Sequence, residues 1–227
     1  MIEKLHKTND ILNINYAVYY PDNLDINNNT LPLLVYLHGA GERGNNFNHI
    51  YRHAIPRLIK SGNEYNAVVL CPQCPAKYVW TNIVDKIKSI IDICVKEYNV
   101  LNDRISITGS SMGGFGTWSM GLTYPNFFSG IAPVAGGEMS WRALNLKSTP
   151  VYAVHGNKDN VVPCIYSRLM TDSVNAAGGN AELKILDGYG HNDGIEFAYE
   201  KTDIINWLLK QRRTVFDYVP ETMEELF

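Results

Sequence analysis

The sequence predicts an α/β fold: a doubly wound, mostly parallel sheet flanked by helices, with no large lid. Three observations predict it. Short apolar runs alternate along the chain with longer segments of helical period, the order that builds a parallel sheet. The run LPLLVYLHG (31–39) is nearly continuous in apolar character, as a strand covered on both faces must be. The segments that follow these runs, HGAGERG, CPQCP, GSSMGG, AGGEMSW, HGNKDN and DGYGHND, collect the unusual residue combinations. Open parallel sheets carry their chemistry there, beyond the carboxyl ends of the strands.

The elements follow in order. INYAVYY (14–20) reads as a strand and is expected to pair antiparallel at one edge. The polar stretch DNLDINNNT (22–30) reads as a hairpin or loop. After 31–39, strands are expected at AVVLCP (67–72), RISITGS (104–110), FSGIAPVAG (128–136), PVYAVHG (150–156) and, more weakly, AELKILDG (181–188). In TNIVDKIKSIIDICVKEYN (81–99), Ile83, Ile87, Ile90, Ile91 and Cys94 fall on one helical stripe. Met112 to Thr123 is a second helix, and Ile165 to Ala177 a third, stopped by Gly178-Gly179. DIINWLLKQRR (203–213) is the last, with basic residues suited to its C-terminus. No repeat or linker composition interrupts the chain, so its 227 residues read as one domain, 1–227. The tail TVFDYVPETMEELF is expected to pack on the body or to contact another subunit, which leaves a homo-oligomer open.

Bulk properties narrow the function. A net charge of −3 without a basic block gives no footprint for nucleic acid or an anionic membrane. No stretch reaches the roughly 18 uninterrupted apolar residues of a membrane span. The polar start MIEKLHKTNDILNINY lacks the apolar centre of a secretory signal, so a cytoplasmic location is expected. Cys71 and Cys74 form a C-x-x-C, but both precede proline and no second ligand pair exists at zinc spacing. With Cys94 and Cys164 they read as ordinary thiols, and neither a metal nor a cofactor is expected.

The segment RISITGSSMGGFGTW carries the chemistry. Gly109-Ser110-Ser111-Met112-Gly113 fits G-x-S-x-G, centred on Ser111. A serine on a sharp strand-to-helix turn leaves no room for side chains two residues either side, which glycine resolves. Centring on Ser110 would put Thr108 and Met112 at those positions, and both are too bulky. The turn also places the Met112 N–H at a helix N-terminus, where it can face an oxyanion.

A serine hydroxyl needs a base, and the base needs an orienting acid. In chain order serine, acid, histidine, the base is His191 in DGYGHND and the acid Asp159 in HGNKDNVVP. Asp187 lies on the stem of the same loop as His191, Asp193 is too near His191 in sequence, Asp103 lies at the wrong end of the sheet, and Asp172 lies within a helix. Asp159 could alternatively cap a helix starting near Val161. His38 and His155, each before a glycine at a strand end, read as packed structural histidines. The second oxyanion donor is expected in His38–Gly44, with Ala40 best placed. Glu42 and Arg43 of that loop either contact a polar substrate or anchor the loop. Trp80 and Trp141 either wall the cleft or pack, and Trp118 belongs to the core.

With HGAGERG, CPQCP followed by Trp80, RISITGSSMGGFGTW, HGNKDNVVP and GYGHN in place, the chain resembles the α/β-hydrolase superfamily. It is most similar to compact serine esterases and peptidases related to dienelactone hydrolase and to prolyl oligopeptidase catalytic domains. The resemblance implies Ser111, Asp159 and His191 as triad and Ala40 and Met112 as oxyanion donors. It departs from dienelactone hydrolase, whose nucleophile is a cysteine. The leading expectation is a serine esterase acting on a small-molecule ester, short-chain or of feruloyl or acetyl type. A serine peptidase for short peptides and an inert binding scaffold are the alternatives. The short connection GEMSWRALNLKST, where relatives carry a lid, predicts an open cleft.

Overall fold

A computed structural model describes residues 1–25 and 30–216. Eight strands form one sheet: β1 (Ile2–Lys7), β2 (Asn15–Tyr20), β3 (Leu33–Leu37), β4 (Val68–Pro72), β5 (Ile105–Ser110), β6 (Gly130–Val134), β7 (Val151–Gly156) and β8 (Ala181–Leu186). Their spatial order is β1-β2-β4-β3-β5-β6-β7-β8. β3 to β8 run parallel, while β1 and β2 are joined antiparallel at one edge.

Helices cover both faces: α1 (Ala54–Lys60), α2 (Val84–Glu97), α3 (Met112–Thr123), α4 (Ile165–Ala176), α5 (Asn192–Lys201) and α6 (Ile204–Lys210). The period of two along each strand sorts side chains into two cores. Leu33, Val35 and Leu37 face the core under α2, α3 and α4, while Leu34 and Tyr36 face the core under α1, α5 and α6. This is why 31–37 has no polar face. The α2 stripe of Ile87, Ile90, Ile91 and Cys94 is fully buried. Each such isoleucine contributes about 1.5–3 kcal/mol by leaving water.

Three elements were not expected from sequence. β1 pairs with β2 from Ile2 opposite Tyr20 to Lys7 opposite Asn15. Its residues are half or fully exposed, so its order comes from backbone hydrogen bonds at the sheet edge. α1 is short and is entered from a 3-10 turn at Phe47–Arg52. α5 begins directly after His191, where a loop was expected. The 135–150 connection holds only a short 3-10 segment, Ser140–Leu146, so no large insertion overhangs the sheet. The loop at 22–30 is described only in part, and the tail from 217 lies outside the described residues. Among the described residues, no helix is long and apolar enough to cross a membrane.

The winding reverses at β3. From there the chain crosses to β4 on one side and later reaches β5 on the other. The loops after β3 and β5 therefore separate and open a crevice at the carboxyl ends, the usual ligand position in such sheets.

Candidate active site

Ser111 stands at that crevice, between the end of β5 and the start of α3. Its backbone has φ 55 and ψ −117, outside the regions ordinary residues favour. The flanking glycines hold the turn this tightly. A Cβ at Gly109 would lie 2.4 Å from the Gly113 carbonyl oxygen, and one at Gly113 only 1.8 Å from that of Leu37. The start of α3 thus rests on the end of β3, and the loop after β3 is carried to the serine. Ser110, one residue earlier, is buried and its Oγ lies 3.0 Å from the Tyr36 hydroxyl.

His191 Nε2 lies 2.9 Å from Ser111 Oγ, and His191 Nδ1 lies 2.6 Å from Asp159 Oδ2. Three loops, after β5, β7 and β8, converge to make this chain. The Asp159 carboxyl is fully buried and uses both oxygens. Oδ1 accepts the N–H groups of Val161 and Val162 at 2.9 and 2.8 Å, which leaves Oδ2 for the histidine. Burial alone would raise the pKa of Asp159. The hydrogen bonds from His191 and the two backbone N–H groups outweigh it and hold the carboxyl below the ordinary range. The turn that Asp159 fixes is not a helix cap, since α4 begins only at Ile165.

The other acids are engaged elsewhere. Asp187 accepts from Asn157 Nδ2, Asp193 accepts from the Gly190 N–H, and Asp103 pairs with Arg212. Asp172 lies within α4. His155 is buried behind the acid: its Nε2 donates to the Val162 carbonyl at 2.8 Å and lies 3.3 Å from Asp159 Oδ2. The sequence carried no sign of that contact.

His38 is also buried, and accepts the Cys74 N–H at Nε2, 2.9 Å away. Its Nδ1 donates to the Gly39 carbonyl at 2.6 Å. Burial is the main cause that lowers its pKa to about 4, with the Arg43 charge adding to the effect. An unfolded histidine titrates near 6.5, so it takes up a proton before folded His38 does. Stability from this site is full above about pH 6.5 and is lost as pH falls toward about 4. Between about pH 7 and pH 5 the loss should be roughly 2 kcal/mol. Urea unfolding at both pH values tests this: in His38→Gln the difference should shrink by about that amount, and an unchanged difference would place the acid sensitivity elsewhere.

Ala40 opens a 3-10 turn, Ala40–Glu42, and Met112 opens α3. N–H groups at helix starts have no partner within the helix. A cavity of about 260 Å³ is lined by Gly39, Ala40, Glu42, Ser111 and His191, and also by His53, Val161, Asn192 and Ile195. The last four were not expected. Ile195 lies on α5, whose Ile195, Ala198 and Tyr199 show helical spacing that the sequence did display. Beyond Met112 lies a second, apolar cavity of about 330 Å³, lined by Val79, Thr81, Met112 and Phe115.

The structure corrects three substrate contacts. Trp80 is buried, packs against Gly116 and donates its Nε1–H to the His38 carbonyl, so it supports the loop from below and walls no cleft. Trp141 is 58% exposed on the 3-10 segment and is not among the residues lining the serine cavity. Arg43 binds the Ala40 and Tyr78 carbonyls and so anchors the loop. Glu42 alone of the four turns to the cavity. The C-x-x-C thiols are buried, and burial pushes Cys74 up to about 12 and Cys71 well above the ordinary thiol range, so both stay protonated.

The Phospholipase/Carboxylesterase family pattern matches residues 76–205, more than half of the chain. A bifunctional acetylxylan esterase/xylanase of Neocallimastix patriciarum is 29% identical over 150 residues, which cover 64% of this chain and 21% of that protein. The chain therefore spans only about a fifth of that relative. An acyl-protein thioesterase 1 homolog of Dictyostelium discoideum is 25% identical over 202 residues, covering 72% of this chain and 84% of that one. A solved thermostable esterase superposes with a TM-score of 0.80 at 26% identity, covering 93% of this chain and 63% of its own.

Proposed function

The chain belongs to the Phospholipase/Carboxylesterase family, and from that premise we propose that it hydrolyses carboxylic esters with Ser111 as nucleophile, His191 as base and Asp159 as orienting acid. The observation that carries the reading is the unbroken hydrogen-bond chain from Ser111 Oγ through His191 to Asp159, at the wall of an open cavity. Asp159 fixes the proton of His191 on Nδ1, so Nε2 presents a lone pair to the serine. His191 removes the Ser111 proton as Oγ attacks the ester carbonyl. The oxyanion rests on the N–H groups of Ala40 and Met112. His191 returns the proton to the departing alcohol, and water then hydrolyses the acyl-serine by the same steps. The acyl groups proposed are short-chain, acetyl or feruloyl. The acetylxylan esterase among the relatives supports the acetyl member of that range, and the open cleft favours small or protruding esters.

The test is a panel of p-nitrophenyl acetate, butyrate and octanoate with methyl ferulate and an aminoacyl amide, together with a fluorophosphonate probe. Turnover of acetate or ferulate and stoichiometric labelling of Ser111 are expected. A folded protein that neither turns over an ester nor takes the probe would refute the reading. Amide cleavage faster than that of the matched ester would favour a peptidase.

A further inference from the structure

Two polar side chains behind the triad form a brace that the acyl-transfer scheme does not use. His155, at the end of β7, and Ser167, on α4, are 1% and 0% exposed, so neither can meet a substrate. His155 Nε2 lies 2.8 Å from the Val162 carbonyl oxygen and 3.3 Å from Asp159 Oδ2. A carbonyl and a carboxylate only accept, so Nε2 carries a proton. At Nδ1, His155 meets Ser167 Oγ at 2.7 Å, and the same Oγ lies 2.8 Å from the Gly136 carbonyl oxygen. An apolar side chain would fill this space without the cost of burying a polar ring.

Each contact bears on the acid or on the nucleophile. Val162 is gripped twice: its N–H donates to Asp159 Oδ1 at 2.8 Å, and its carbonyl accepts the His155 proton. The turn that fixes Oδ1 is thereby tied to β7. Oδ2, which accepts from His191 Nδ1 at 2.6 Å, also faces the His155 proton. Gly136, at the far end of the brace, rests on the nucleophile's helix. A Cβ there would lie 2.5 Å from the Gly114 carbonyl carbon and 2.6 Å from the Phe115 nitrogen. The Ser111 N–H donates to the Val134 carbonyl at 2.9 Å, in the same connection. The path Asp159–His155–Ser167–Gly136 therefore joins the loop of the acid to the segment against which the elbow packs. Resting on the triad reading above, we infer that His155 is a positioning residue for ester hydrolysis: braced by Ser167, its Nε2–H holds the Asp159 carboxylate in the orientation and charge that keep the His191 proton on Nδ1. A proton donor beside Oδ2 favours the carboxylate over the carboxylic acid. Locked supporting hydrogen bonds of this kind keep catalytic side chains in productive geometry.

The experiment measures kcat and KM for p-nitrophenyl acetate in His155→Leu, His155→Gln and Ser167→Ala, together with the NMR resonance of the His191 Nδ1 proton. His155→Leu should lower kcat about 10- to 100-fold, with KM within about threefold of wild type. The His191 resonance should move or be lost to exchange with water. His155→Gln keeps an amide donor near the Nε2 position, so it should recover most of the activity, to about three- to tenfold below wild type. Ser167→Ala leaves the ring in place without its brace and should cost about two- to fivefold. A histidine that only stabilised the fold would lower the urea midpoint and leave kcat and the His191 resonance unchanged in folded protein. Folded His155→Leu with kcat within twofold of wild type, or with a lower kcat and an unmoved His191 resonance, overturns this inference alone. Should His155→Leu fail to fold, Ser167→Ala carries the test, and wild-type values of both readouts there overturn the inference. Wild type inert to the ester and to the fluorophosphonate would overturn the triad reading beneath it.

Discussion

Ser111→Ala is expected to lower kcat for p-nitrophenyl acetate by about 10⁴- to 10⁶-fold, with KM changed far less. The alanine variant keeps the cavity, the oxyanion N–H groups and the His191–Asp159 pair, but has no oxygen to carry the acyl group. What remains is water attacking a bound ester, assisted by the oxyanion donors. Turnover should be read against protein titrated with the fluorophosphonate, so that trace wild type is counted. A fall of less than about a hundredfold would show that Ser111 is not the nucleophile. The same position makes a second, opposite statement about stability. A serine held at φ 55 and ψ −117 is strained by about 1–3 kcal/mol. Ser111→Gly removes the Cβ that suffers there, so the inactive glycine variant should unfold at a higher urea concentration than the alanine variant. The turn is held in close packing, since Gly109 and Gly113 let the backbone meet the Gly113 and Leu37 carbonyls with no room for a Cβ.

How far the sequence could be read depended on how local each signal was. The elbow is local: two glycines at fixed spacing around a serine define its turn, and α3 starts directly after it and spans Met112–Thr123 as expected. The end of α4 is equally local, since Gly178 at φ 80 stops it. β1 has no such mark. IEKLHK buries too little side-chain surface to show a pattern, and its partner strand decides its conformation. α5 was hidden because NDG after His191 reads as a turn, although the apolar spacing beyond it was helical. For single side chains the limit is different. Trp80 and Trp141 look alike in sequence, but one ring props the His38 loop from the core and the other faces solvent. Glu42 and Arg43 are neighbours, yet one turns to the cavity and the other to backbone carbonyls. Orientation at a loop is set by tertiary contacts that periodicity cannot encode. The contact of His155 with Asp159, four residues on, belongs to the same class.

Asp159→Asn should cost about 10⁴-fold in kcat while leaving the ester bound. The reason lies in which atoms donate. Asp159 Oδ1 is committed to the Val161 and Val162 N–H groups, and an asparagine must keep its carbonyl oxygen there to satisfy them. Its Nδ2 then takes the place of Oδ2, 2.6 Å from His191 Nδ1. An amide donor cannot accept the Nδ1 proton, so His191 moves its proton to Nε2 and points a donor, not a lone pair, at Ser111 Oγ. The base is lost although every heavy atom remains nearly in place. The amide would also meet the Nε2–H of His155, which Oδ2 now faces at 3.3 Å, and two donors there should cost about 1–3 kcal/mol of stability. Two readouts separate these effects. The fall in kcat reports the tautomer of His191, and urea unfolding reports the buried donors. A ring-nitrogen NMR spectrum should find the His191 proton on Nδ1 in wild type and on Nε2 in the variant. A kcat within tenfold of wild type, with the proton still on Nδ1, would mean that some other group orients His191 and would remove Asp159 from the triad.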